Sequence, residues 1–219
     1  MQLPAEYRQL IDCFDALPGI GPRAAARLAQ HVLEHDLGER LQLAILRGRD
    51  ALQHCSQCRS YSLTPTCTLC ADGERQQSRL LVLAGVDDLT LWEEAGYRGG
   101  YFILHGLLSP VSGVGPRQLH LPQLKRRVEA LLAGEDIRSA DITSAGIPAV
   151  HKPSTGGPLL VQVVLESSVE ADATGQFIQD MLADLACQVQ VLTPRQLDAD
   201  LQRAQRSSAA GCAPAGAEE

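Results

Sequence analysis

The chain reads as an α+β protein of several domains, and three observations predict it. The first quarter carries apolar residues at helical spacing, interrupted by the turn-forming segment PGIGP at 18–22. Two Cys-x2-Cys pairs follow between residues 55 and 70. From residue 79 onward, short apolar runs alternate with helical patterns, as a mainly parallel α/β sheet requires. The divisions predict a helical hairpin domain over 1–53, a four-cysteine zinc module over 54–76, an α/β domain over 77–195, and a C-terminal helix with a disordered tail over 196–219.

In chain order, Leu3, Tyr7, Leu10, Ile11, Phe14 and Leu17 form the stripe of an amphipathic helix that should stop at Pro18. From Arg23 to Leu33 the pattern resumes, with Ala25, Leu28, Ala29, Val32 and Leu33 on one side: helix, tight hairpin, helix. Leu41, Ile45, Leu46 and Leu52 predict a third helix. Beyond the cysteines, RLLVLA (79–84) and GYFILH (100–105) predict strands joined by the helix DDLTLWEEAG. PLLVQVVLE (158–166) and CQVQVL (187–192) repeat that unit around a helix bearing Phe177, Ile178, Met181, Leu182 and Leu185. Residues 109–157 are rich in Gly, Pro, Ser and charge, with one helical patch near Leu121 to Leu132. The tail from Ser207, SSAAGCAPAGAEE, has nothing to bury and is expected to be disordered.

A chain of 219 residues, 45% hydrophobic and 21% charged, can build real cores, which excludes chain-wide disorder and any need for a disulfide scaffold. The absence of an apolar run of about 20 residues, and of a secretory pattern in MQLPAEYRQL, predicts a cytosolic protein without a membrane partner. The formal charge is −7, so nucleic acid can be bound only locally. Up to Arg75 there are 8 basic and 9 acidic residues, and beyond it 11 and 17, so the nearly neutral first part is where a basic face can form.

Cys55, Cys58, Cys67 and Cys70 give the strongest chemical signal. Each Cys-x2-Cys knuckle can point two thiolates at one ion, and two knuckles complete a closed tetrahedral zinc site. Buried free thiols or a redox pair are the competing readings. Cys13 and Cys187 are expected in cores, and Cys212 lies in the tail.

A second signal is Gly19, Ile20 and Gly21, followed by Arg23 and Arg27. Two glycines allow a sharp turn, the next helix opens with unpaired N–H groups, and the arginines share one face, an arrangement that suits phosphate. An ordinary helical hairpin whose glycines serve only the turn fits equally. The third signal is acidic: Asp87 and Asp88 follow one predicted strand, and Glu170 and Asp172 follow another, so they either hold a divalent cation such as Mg2+ or complement helix N-termini. His105 and the cluster Lys125, Arg126, Arg127 could meet phosphate, although a solvated basic face explains the cluster as well. No Walker-type glycine-lysine loop is present.

Taken together, LPGIGPRAAARLA (17–29), the four cysteines and YRGGYFILHGLLSPVSGVGP (97–116) resemble the RecR recombination-mediator family of bacteria, and ESSVEADAT (166–174) is similar to a further segment of it. The resemblance implies a helix-hairpin-helix domain, a four-cysteine zinc finger and a Toprim domain. It also implies a homo-oligomeric ring or clamp on DNA that works with RecF and RecO to load the strand-exchange recombinase, without catalysis of its own. Where that family usually has an acid and a proline, this chain has Ala84 and Val86, so Asp88, Glu170 and Asp172 are what remains of the Toprim acids. TPRQLDADLQRAQ replaces a glycine-rich C-terminal stretch, while the GIP at 146–148 and STGG at 154–157 lie upstream. A divergent interaction module and a Toprim enzyme acting on phosphodiesters are the alternatives.

Overall fold

A computed structural model describes residues 3–134 and 158–210, and the chain divides into two compact units, Met1–Leu52 and Gln53–Glu219. The GIP and STGG segments and Cys212 lie outside the described residues.

The first unit holds α1 (Ala5–Asp15), α2 (Pro22–Glu34) and α3 (Leu37–Ala51). Ala25 and Ala29, one turn apart on α2, are fully buried, and α1 and α3 both pack against α2. Tyr7 on α1 donates its hydroxyl to the Ala26 carbonyl at 3.4 Å. Neither α1 nor α3 contains a fully buried residue. Three expectations change here. Cys13 is exposed, because the small face of α2 covers only part of the stripe on α1. Leu33, one turn beyond Ala29 near the end of α2, is 64% exposed, so the burial of that face stops short of it. The α3 stripe forms a helix as expected, yet Leu41, Ile45 and Leu46 on it remain exposed.

The second unit begins with β1 (Gln53–His54) and β2 (Tyr61–Ser62), an antiparallel pair, and the short α4 (Thr68–Ala71). It continues through β3 (Gln76–Leu83), α5 (Asp87–Glu94), β4 (Gly99–Ile103), α6 (Leu121–Ala133), β5 (Leu159–Val164), α7 (Val169–Leu182), β6 (Cys187–Leu192) and α8 (Pro194–Ala210). The four main strands are all parallel, in the order β4-β3-β5-β6. The sheet is covered on both faces, which explains why RLLVLA is apolar without alternation. Leu80 and Val82 join Phe102, Leu124, Val128, Ile178 and Leu182 in one core, while Leu81 and Leu83 join Trp92, Tyr97, Tyr101 and Leu197 in the other. Cys187 is half-buried against the first of these cores. The helix after β6 continues past Ser207 to Ala210, further than a tail beginning at Ser207 allows, and residues 211–219 lie outside the described residues. Among the described residues no helix is long and apolar enough to cross a membrane.

Two polar devices hold this unit in register. Arg75, just before β3, donates Nε to the Gly99 carbonyl at 2.9 Å and forms a forked ion pair with Glu93 of α5, which also accepts from the Tyr101 hydroxyl at 2.7 Å. Burial opposes ionisation of Glu93, but hydrogen bonds from Arg75 and Tyr101 outweigh it and lower its pKa. At the other site, Thr174 of α7 accepts from the Leu108 N–H at 2.9 Å and donates to the Glu170 carbonyl at 2.6 Å, pinning the loop after β4.

Candidate metal centre and nucleic-acid interface

The sulfurs of Cys55, Cys58, Cys67 and Cys70 lie within 4.8 Å of one another, a group able to hold a metal ion. Cys55 and Cys58 come from the turn between β1 and β2, which closes through Arg59 N–H to Cys55 carbonyl (2.9 Å) and Cys55 N–H to Ser60 carbonyl (2.8 Å). Cys67 caps α4, and Cys70 lies one turn along it. Backbone N–H groups of Cys67, Cys70 and Ser60 point at the sulfurs of Cys55, Cys67 and Cys58 at 3.4, 3.4 and 3.5 Å. Donors aimed at sulfur favour thiolate over thiol. Hydrogen bonds from Cys58, Cys67 and Cys70 push the Cys55 thiol far down, and the same crowding pushes Cys58 and Cys70 up. Four sulfurs this close could all be thiolates only with a cation between them.

The cysteine module is built into the sheet unit. Cys55, Cys58 and Cys67 are buried among Trp92, Tyr97 and Tyr101, and the Cys58 carbonyl accepts the Ile103 N–H at 2.9 Å, covering part of the exposed edge of β4. From α6, Gln123 donates to the Ser56 carbonyl at 2.6 Å, and Arg127 donates to Gln57 at 2.9 Å and to the Cys70 sulfur at 3.9 Å. Arg127 is only 8% exposed, so the basic cluster divides: Arg126 faces solvent, whereas Arg127 brings a positive charge to the sulfurs. The signal for this was present in the helix period, because Arg127 falls between the buried Leu124 and Val128.

The hairpin between α1 and α2 has Gly19 at φ 78°, a conformation that a side chain disfavours, and Gly21 as the extended N-cap of α2. Ile20 is half-buried, its N–H bonded to the Leu17 carbonyl at 3.1 Å. A Cβ built on either glycine meets nothing within 4 Å, so the turn is open to an approaching molecule. Pro22 occupies the first helical position, and the first helical hydrogen bond runs from Ala25 N–H to the Gly21 carbonyl, which leaves the N–H groups of Arg23 and Ala24 without backbone acceptors. Arg23 and Arg27 are exposed one turn apart, and neither is in an ion pair among the described residues.

The acids are placed differently. Asp87 and Asp88 open α5, and Glu170 and Asp172 open α7, beyond the carboxyl ends of the neighbouring strands β3 and β5. Glu170 accepts from the Ser109 hydroxyl at 3.2 Å. Burial raises the pKa of Asp88, with Asp87 and Glu166 adding to the shift. Glu166, just past β5, is therefore an acid facing Asp88 that the expected set omitted; its position at the strand end was the available signal. Ala84 packs half-buried against the core. Among the described residues, only the four cysteines bring three or more ligand atoms close enough to share an ion, so Asp88, Glu170 and Asp172 do not form such a group.

Asp88 gives a prediction with a definite sign. A carboxyl whose pKa is raised on folding favours the folded state when protonated and opposes it as pH rises through the folded pKa. Asp88→Asn should therefore raise the melting temperature at pH 7, and the gain should vanish below the ordinary carboxylate range; melts at pH 7 and about pH 3 check this.

Residues 7–47 match the family described as RecR, helix-hairpin-helix, a span that runs from Tyr7 through the hairpin into α3. The match supports a role in recombinational DNA repair. With a helical hairpin that is similar to the RecR helix-hairpin-helix domain, a four-cysteine cluster and a parallel four-stranded sheet following in order, the described residues have the layout that the sequence predicts.

Proposed function

We propose that this protein is a non-enzymatic DNA-binding mediator of recombinational repair that grips the sugar-phosphate backbone with the α1–α2 hairpin. Gly19, Ile20 and Gly21 bring the backbone close to a phosphate, the open N-terminus of α2 attracts it, and Arg23 and Arg27 extend the contact along the strand. The single observation that carries this reading is the exposed arginine pair, in no ion pair among the described residues, beside an open glycine turn in a segment that matches the RecR helix-hairpin-helix domain. Partners of the RecO and RecF type, and loading of the recombinase, follow from the family resemblance. A homo-oligomeric ring or clamp is supported by the unburied Leu43, Ile45 and Leu46 of α3. A magnesium-dependent cleavage assay separates this reading from a Toprim enzyme, which would lose its activity on Asp172→Ala.

The proposed metal is structural Zn2+. Four soft donors leave no open position for a substrate, so the ion would supply folding free energy and neutralise thiolate charge. Arg127 would act through Cys70 and Gln57. Arg127→Met should lower zinc affinity by roughly 10- to 100-fold, read as earlier zinc release in a chelator titration.

A further inference from the structure

The turn after Cys58 carries a buried cation without a polar partner among the described residues. Arg59 is 6% exposed, its Nε is buried without a hydrogen-bond partner, and its guanidinium is in no ion pair among the described residues. It also sits at φ 64°, where a side chain is disfavoured and glycine is at ease. The local structure depends on its backbone instead: the Arg59 carbonyl accepts from His54 Nδ1 at 3.0 Å and from His105 Nε2 at 2.7 Å. Those bonds would form with any residue at 59. The side chain thus adds desolvation and backbone strain with no hydrogen bond or ion pair among the described residues in return.

Flat rings stand beside the Arg59 backbone. Tyr61 is 56% exposed and stacks on the exposed His54 at 5.0 Å and 28°. His105 lies edge-on to both, at 4.6 and 5.7 Å. The charge of Arg59 acts on His105 and on His120, which caps the N-terminus of α6. Among the described residues, no carboxylate is among the groups acting on Arg59, His105 or His120. In a chain of net charge −7, this is a positive spot, free of acids among the described residues, beside an exposed aromatic stack. A phosphate satisfies the guanidinium, and an unpaired base satisfies the rings; paired bases in a duplex have no free face to offer.

We propose that Arg59, Tyr61 and His54, flanked by His105 and His120, form a second nucleic-acid contact that holds one backbone phosphate and stacks one unpaired base of a DNA single strand. This rests on the DNA-binding reading above and adds to it a preference for single strands located in the second unit.

The test measures affinity of the full chain for a labelled oligothymidine and for a duplex of equal length, with zinc content checked for every variant. Arg59→Gly removes the side chain and relieves the positive φ, and Tyr61→Ala removes an exposed ring. Each should weaken single-strand binding about tenfold while leaving duplex binding within a factor of about two. Arg59→Gly should also reduce the log–log salt slope on the single strand by about 0.7 and melt no lower than the parent. Unchanged single-strand affinity in both variants overturns the proposal, as does equal loss on duplex and single strand. If the parent binds DNA and Arg23→Glu with Arg27→Glu weakens it while these two variants do not, the second contact fails alone. If the parent binds no DNA, both readings fail.

Discussion

Cys58→Ser should strip the protein of bound zinc and unfold the second unit at temperatures where the parent is intact. Structural zinc contributes about 10–16 kcal/mol of apparent binding free energy in small zinc domains, while a whole domain is stable by only about 5–15 kcal/mol. The loss should extend beyond the knuckle. Cys58 is fully buried, and its carbonyl holds the Ile103 N–H of the edge strand β4. Arg127 would also be left near a broken cluster with its charge less well matched. Metal analysis with thermal melts of parent and variant checks this, and a metal-free protein that melts like the parent would remove zinc from the account.

Reversing both hairpin arginines, Arg23→Glu with Arg27→Glu, should weaken DNA binding on the order of a hundredfold at low salt, since each charged contact is worth about 1.5–3 kcal/mol. The log–log salt slope on duplex DNA should fall by about 2, one phosphate for each arginine. Loss should be similar across DNA sequences, because backbone contacts carry no base information. Folding should survive, because both side chains are exposed and the face of α2 that packs inward is Ala25 and Ala29. Titrations on two unrelated sequences with a matched melting curve measure all of this.

The legible parts of the chain are those whose physics is local. Gly19 and Pro22 mark a turn and a helix start by their backbone preferences alone. The run Leu80 to Leu83 reads as a strand buried on both faces because neither side offers a polar residue. Cys55, Cys58, Cys67 and Cys70 announce their convergence because knuckle spacing sets it before any tertiary contact forms.

What escaped reading depends on contacts far apart in sequence. Arg127 shares the helical period of the buried Leu124 and Val128, but its partners Gln57 and Cys70 lie 70 and 57 residues away and have no local signature. The meeting of His105 with the Arg59 carbonyl spans 46 residues and has no local signature. Glu166 becomes a neighbour of Asp88 only because β5 pairs with β3. The stripes on α1 and α3 predict helices correctly and burial incorrectly, because helical period reports which residues share a face and not whether anything covers it. Cys13, Ile45 and Leu46 are exposed for that reason.

An acidic protein that binds DNA through the α1–α2 hairpin must hold it by local phosphate contacts. The most direct measurement is the equilibrium affinity of the purified full chain for DNA across a range of salt, with and without the Arg23→Glu and Arg27→Glu pair. Binding by the parent should fall steeply as salt rises, and the variant should bind more weakly with a shallower slope. Parent and variant curves that coincide at every salt concentration would contradict binding through the hairpin.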